Sequence, residues 1–137
     1  MVRQNLIAGA LTAAVFAGSL VGMRAQAPAA DAPFKRTVLQ QADLSAPGRE
    51  VVQALAEVQP GGMSGRHTHP GEEVAYVLAG PITLEIDGKP AKTLQTGEVF
   101  LIPAGAVHNA RNTSKGVVKV VATYFIEKGK PVATPVP

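Results

Sequence analysis

The chain has only three histidines, and all of them fall in two short stretches rich in glycine and proline. The first stretch, residues 61–80, reads GGMSGRHTHPGEEVAYVLAG and carries His67 and His69. Successive side chains of a strand point to opposite faces, so these two imidazoles share one face and Thr68 takes the other. Pro70-Gly71 turns the chain, and Glu73 opens the next strand, where an antiparallel neighbour can carry its carboxylate beside the imidazole pair. Glu72 lies in the turn by spacing and is expected in solvent. The second stretch, residues 97–112, reads GEVFLIPAGAVHNARN and places His108 after a strand, a turn and the start of another strand. Three imidazoles and one carboxylate form a donor set for one divalent transition ion per chain, whether Fe(II), Mn, Ni, Cu or Zn. A lone buried histidine is ordinarily a satisfied core residue. That explanation must here account for three, all in turn-flanked strands and none elsewhere.

The elements that must position these residues are short strands. Phe34–Leu39 and Glu50–Val58 flank a Ser45–Gly48 turn, and Gln59-Pro-Gly-Gly62 breaks the chain. Strands are then expected at Gly65–His69, Glu73–Leu78, Ile82–Ile86, Ala91–Leu94, Val99–Ile102, Val107–Arg111 and Val117–Ile126, with Asp87-Gly88 the clearest hairpin turn. About nine strands with a turn roughly every ten residues, and no sustained helical period after the leader, indicate an all-β sandwich or barrel. Alternation puts Met63 and Gly65 on the face of the histidine pair, and Ala75 and Val77 on that of Glu73. It puts Ala110 and Asn112 beside His108, and lets Tyr124 reach the cavity. Arg66 and Arg111 point away from the neighbouring ligands. Few polar side chains and no arginine or lysine pair have inward parity, which favours a small, largely apolar organic substrate over a phosphate or dicarboxylate.

On these residues the chain resembles the cupins. Gly61-x5-His67-x-His69-x3-Glu73-x6-Gly80 matches the first cupin motif, and Gly97-x5-Pro103-x-Gly105-x2-His108-x3-Asn112 the second, with sixteen residues between them. The resemblance implies a single-domain jelly-roll β-barrel with His67, His69, Glu73 and His108 as metal ligands. It also implies structural roles for the motif glycines and a backbone-bonding role for Asn112. It does not choose a reaction, since one fold hosts many. The leading expectation is a metal-dependent oxidoreductase of dioxygenase type acting on a small organic molecule. The alternatives are a metal-dependent isomerase or lyase, and a non-enzymatic small-ligand or metal-binding protein of the envelope.

Composition bounds the rest. Of 137 residues, 1–27 have the layout of a secretory signal peptide: Arg3, an apolar run from Leu6 to Val21, then small residues with cleavage between 25 and 29. Residues 28–33 read as a linker, 34–128 as the domain, and 129–137 as an extended Pro-rich tail. Removal of the leader takes Arg3 and Arg24 and no acidic residue, so the net charge falls from +3 to +1. No arginine-lysine stripe interleaved with aromatics is present, which argues against nucleic acid. With no cysteine, a thiolate site and a lipidated cysteine are excluded. The expectation is an exported protein, periplasmic or secreted, with no stable membrane span after processing. A homodimer is expected through Val74, Tyr76 and Leu78, which alternation turns away from the site.

Overall fold

The computed structural model describes residues 32–137, and the leader and most of the linker expected from the sequence lie outside them. The described chain is all-β. Its ten strands are β1 (Phe34–Asp43), β2 (Arg49–Val58), β3 (His67–Thr68), β4 (Glu72–Ala79), β5 (Ile82–Ile86), β6 (Lys92–Leu94), β7 (Val99–Ile102), β8 (His108–Arg111), β9 (Val118–Glu127) and β10 (Thr134–Pro135). They form two five-stranded antiparallel sheets, β1-β2-β9-β4-β7 and β10-β3-β8-β5-β6. This is the jelly-roll arrangement expected from the two motifs.

Period-two alternation builds the core. In β9 every second residue from Val118 to Ile126 is buried, and in β4 Glu73, Ala75 and Val77 are buried while Val74, Tyr76 and Leu78 are exposed. Two alternating faces meet around Val52, Ala54, Val58, Ile82, Leu84, Leu94, Ile102, Val118 and Val120. At about 25 cal/mol per Å² of apolar surface removed from water, burial of this set is the main stabilising term.

Two local features differ from the expected strands. The run 65–69 is not a regular five-residue strand: β3 is only His67–Thr68, and Met63 makes an isolated bridge to Arg111 and is exposed. Gly61 and Gly65 take positive φ here, so side-chain alternation does not carry back from His67 to Met63. The C-terminal residues are docked on the barrel. Thr134 and Pro135 pair with Thr68 and His67, and Val136 N–H donates to the Arg66 carbonyl at 2.9 Å.

Candidate metal centre

The two sheets contribute to one cluster. His67 and His108 lie directly opposite each other in the β3–β8 register, with ring centroids 4.2 Å apart. His69, just past β3, brings its ring to 4.7 Å from His67 and 4.9 Å from His108. Glu73 arrives from the other sheet, where β4 pairs with β7 and β9. The expected antiparallel neighbour is therefore replaced by a strand facing across the barrel. The Pro70-Gly71 turn still delivers the carboxylate, with Oε2 2.9 Å from His69 Nε2 and 3.4 Å from His108 Nε2. The turn needs a glycine at 71, because a Cβ there would stand 1.9 Å from the Phe125 carbonyl oxygen. Glu72 is exposed and reaches Arg49 at 3.5 Å, in the solvated position the spacing gives it.

Every imidazole is fixed by a backbone carbonyl. Nδ1–H of His67 donates to Gly65 O at 2.8 Å, that of His108 to Ala106 O at 3.0 Å, and that of His69 to Val132 O. A carbonyl only accepts, so each Nδ1 carries the proton and each neutral ring keeps a lone pair on Nε2. One ligand nitrogen from each ring lies within 4.8 Å of the others. His69 Nε2 is buried without a hydrogen-bond partner, and the Glu73 oxygen beside it is not aligned to share a proton with it. An orphaned lone pair against a carboxylate oxygen costs free energy unless a cation lies between them. The residues fit a divalent ion: His67, His69 and His108 through Nε2, and Glu73 through its carboxylate.

The electrostatics agree. Burial lowers the His67 pKa to about 4 despite the carbonyl bond from Gly65, and His108, His69 and Arg36 add to the effect, so this ring stays neutral at pH 7. Burial opposes ionisation of Glu73; protons on Nε2 of His108 and His69 would favour it and bring its pKa to about 2, and with those nitrogens unprotonated a cation must take their place. Tyr124, whose ring lies 4.7 Å from that of His69, is pushed up by burial and by the Glu73 charge, so it stays protonated.

Beside the cluster opens a small cleft of about 30 Å³. Its walls include Val58, Ile82, Leu84, Phe100 and Val120, and Tyr124 reaches it as alternation expects. Arg66 and Arg111 turn outward onto Asp87 and Glu85. Asn112 bonds backbone, donating to Val58 O at 2.9 Å and Gly116 O at 2.7 Å and accepting from Ser114 N–H at 2.8 Å. Two contributors escaped the sequence reading. Val132 orients His69 from a tail that carries no motif. Arg36 lines the cleft from β1, and its alternation with Phe34 was the available signal.

A family model for the cupin domain matches residues 54–124, which include both histidine stretches. This chain belongs to the cupin family. Within it, the chain is 36% identical over 76 residues to germin-like protein subfamily 2 member 2 of Arabidopsis thaliana, covering 52% of this chain and 35% of that protein. It is 34% identical over 79 residues to the HTH-type transcriptional regulator PuuR of Escherichia coli, covering 57% and 42%. The cupin thus spans well under half the length of these curated relatives. Among solved structures it is similar to oxalate oxidase in complex with the substrate analogue glycolate, with a TM-score of 0.62, 22% identity, and coverage of 83% of this chain and 66% of that one. It is also similar to a double-stranded β-helix protein from Klebsiella pneumoniae, with a TM-score of 0.62, 17% identity, and coverage of 78% and 88%.

Proposed function

We propose that this cupin is a metal-dependent oxidoreductase of dioxygenase type, exported to the periplasm or beyond, acting on a small organic molecule with dioxygen as oxidant. The observation that carries the reading is the set of three imidazoles, each locked by a carbonyl with Nε2 turned inward, beside the Glu73 carboxylate and an apolar cleft. Bound there, a redox-active divalent ion would supply electron-transfer and Lewis-acid chemistry.

The remaining residues bind and shield. Val58, Ile82, Leu84 and Val120 exclude water, which strengthens every charge interaction in the cleft. Ser64 is committed, accepting from Ala110 N–H at 2.9 Å and donating to Gly65 O at 3.2 Å. Tyr124 holds its proton, and His67, His69, His108 and Glu73 are taken up by the centre. No cleft residue outside the donor set is thus placed to abstract a proton from carbon. That weighs against an isomerase or lyase that works by abstracting a proton from carbon.

The test loads metal-free protein with Fe(II), Mn(II) or Zn(II) and follows oxygen uptake over a panel of small organic acids, alcohols and phenols. Turnover with a redox metal and none with Zn is expected. Equal turnover with redox-silent Zn and no oxygen uptake would overturn the redox assignment in favour of Lewis-acid chemistry. Metal retained with no turnover on any panel member would favour a binding protein. N-terminal sequencing of the mature protein from the native cell should begin between residues 26 and 30, and an intact Met1 would refute export by cleavage.

A further inference from the structure

Four arginines occur among the described residues, and three of them meet a carboxylate: Arg49 reaches Glu72, Arg66 reaches Asp87, and Arg111 reaches Glu85. Arg36 meets none among the described residues and turns into the cleft instead. It stands opposite Ala56 in the β1–β2 register, and that small side chain, itself part of the cleft wall, leaves room for it. Its guanidinium carbon lies 5.3 Å from the Phe34 ring centroid and 5.6 Å from that of Tyr124. Two aromatic faces thus hold the cation in place without neutralising it. Its Nε–H is buried with no hydrogen-bond partner. A planar fork of donors, fixed by stacking and left partly unsatisfied, suits a carboxylate.

The same Tyr124 ring packs against His69 at 4.7 Å, so the guanidinium and the candidate metal centre border one aromatic side chain. Charge points the same way. Three neutral imidazoles and one carboxylate leave a bound divalent ion with one positive charge, and Arg36 adds a second, while among the described residues Glu73 is the only acidic one lining the cleft. We infer that Arg36 anchors the carboxylate of a small organic acid whose second oxygen function faces His67 and His108 and whose hydrocarbon body lies against Val58, Ile82, Leu84 and Val120. This rests on the metal-centre reading and names the substrate class of that site. A single guanidinium selects one carboxylate, in keeping with the preference against a phosphate.

The probes are lactate and 2-hydroxyisovalerate, each beside its neutral amide, titrated into Co(II)-loaded full chain at pH 7.5 with the visible cobalt spectrum as readout. Both acids should bind at least tenfold more tightly than their amides. Arg36→Met, which keeps the apolar stem, should lose at least tenfold for the acids, leave the amides unchanged and take up cobalt normally. Arg36→Lys should recover part of the loss. Acids that bind no better than amides, or Arg36→Met protein that binds the acids as wild type does, would overturn the anchor and leave the metal centre standing. Wild-type chain that takes up no cobalt would overturn the metal centre itself, and the anchor with it.

Discussion

Ending the chain at Lys130 removes the Val132 carbonyl that fixes His69, and metal affinity should fall while the barrel persists. The His69 Nδ1–H then loses its acceptor in a site where the side chain is essentially inaccessible. Leaving a buried donor unpaired costs about 1–3 kcal/mol, and loss of a group that orients a metal-bound histidine costs roughly 10–100-fold in affinity. The cut also removes the β10 pairing and the bond from Val136 to Arg66, but β3 keeps its pairing with β8. Water can enter the vacated channel and serve as a substitute acceptor, so the lower end is expected, about tenfold or about 1.4 kcal/mol. Zinc affinity by chelator competition at pH 7.5 reads the loss directly. Nitrogen-15 spectra of labelled histidine read the cause, since only His69 should change its proton placement or begin to exchange between tautomers. A truncated chain that folds, binds zinc within twofold of the full chain and keeps its His69 signal would refute the orienting role. Val136→Pro separates the effects: it deletes the bond to Arg66 while leaving the Val132 carbonyl, and should cost less than half as much.

Four further outcomes are expected. His67→Ala, His69→Ala, His108→Ala and Glu73→Gln should each sharply lower metal content by elemental analysis, whereas Glu72→Gln gives up only an exposed ion pair and should leave it unchanged. Asn112→Ala, which strands the Ser114 amide and the Val58 and Gly116 carbonyls, should lower stability by about 2–4 kcal/mol in urea unfolding without altering the metal donors; a loss under 0.5 kcal/mol would contradict the hub role. Metal-free protein should be steady above pH 6.5 and weaken as pH falls toward 4: the folded pKa of His67 is depressed, so the unfolded chain takes up the proton first, for a loss of about 2 kcal/mol after allowing for the open cleft. Glu73 adds a second loss as pH drops from 4.5 toward 2; melting curves flat from pH 7.5 to 4 would refute the first loss, and no further fall from pH 4 to 2 would refute the second. Finally, Val74 faces Leu101 and Tyr76 faces Val99 on the outer sheet surface, all exposed together with Leu78, and a homodimer through this patch is proposed; sedimentation as a monomer at tens of micromolar would exclude it.

What the sequence could and could not tell follows from how far each feature reaches along the chain. Alternation in β4 and β9 foretold which of Glu73, Ala75, Val77 and Tyr124 turn inward, because period-two patterning is local to a strand. The same rule failed at Met63, where positive-φ glycines break the strand and reset the pattern. It also could not say that Glu73 faces the histidines from the opposite sheet, since a turn at Pro70-Gly71 permits both a hairpin partner and a crossing. Arg36 escaped for a different reason. Most of β1 is exposed, and only the closing of its first residues over the cleft makes Phe34 and Arg36 inward-facing.

The donor set itself divides along this line. His67 and His108 each donate to the carbonyl two residues earlier, Gly65 and Ala106, so each motif encodes a ligand together with the group that orients it. Such a unit forms wherever the local turn forms, and its spacing is visible in the sequence. His69 has no such local partner. Its carbonyl is 63 positions onward, on a strap held by only two strand pairs and one further backbone bond. Two imidazoles are therefore set by short-range geometry and one by a long-range closure, and the long-range one is the ring whose Nε2 is left buried and unpartnered against Glu73. Loosening the strap should act on the site mainly through His69, since His67 keeps both its Gly65 carbonyl and its pairing with His108. A changed proton placement at His67 or His108 in the truncated chain, equal to that at His69, would contradict this division, because those rings would then depend on the strap as well.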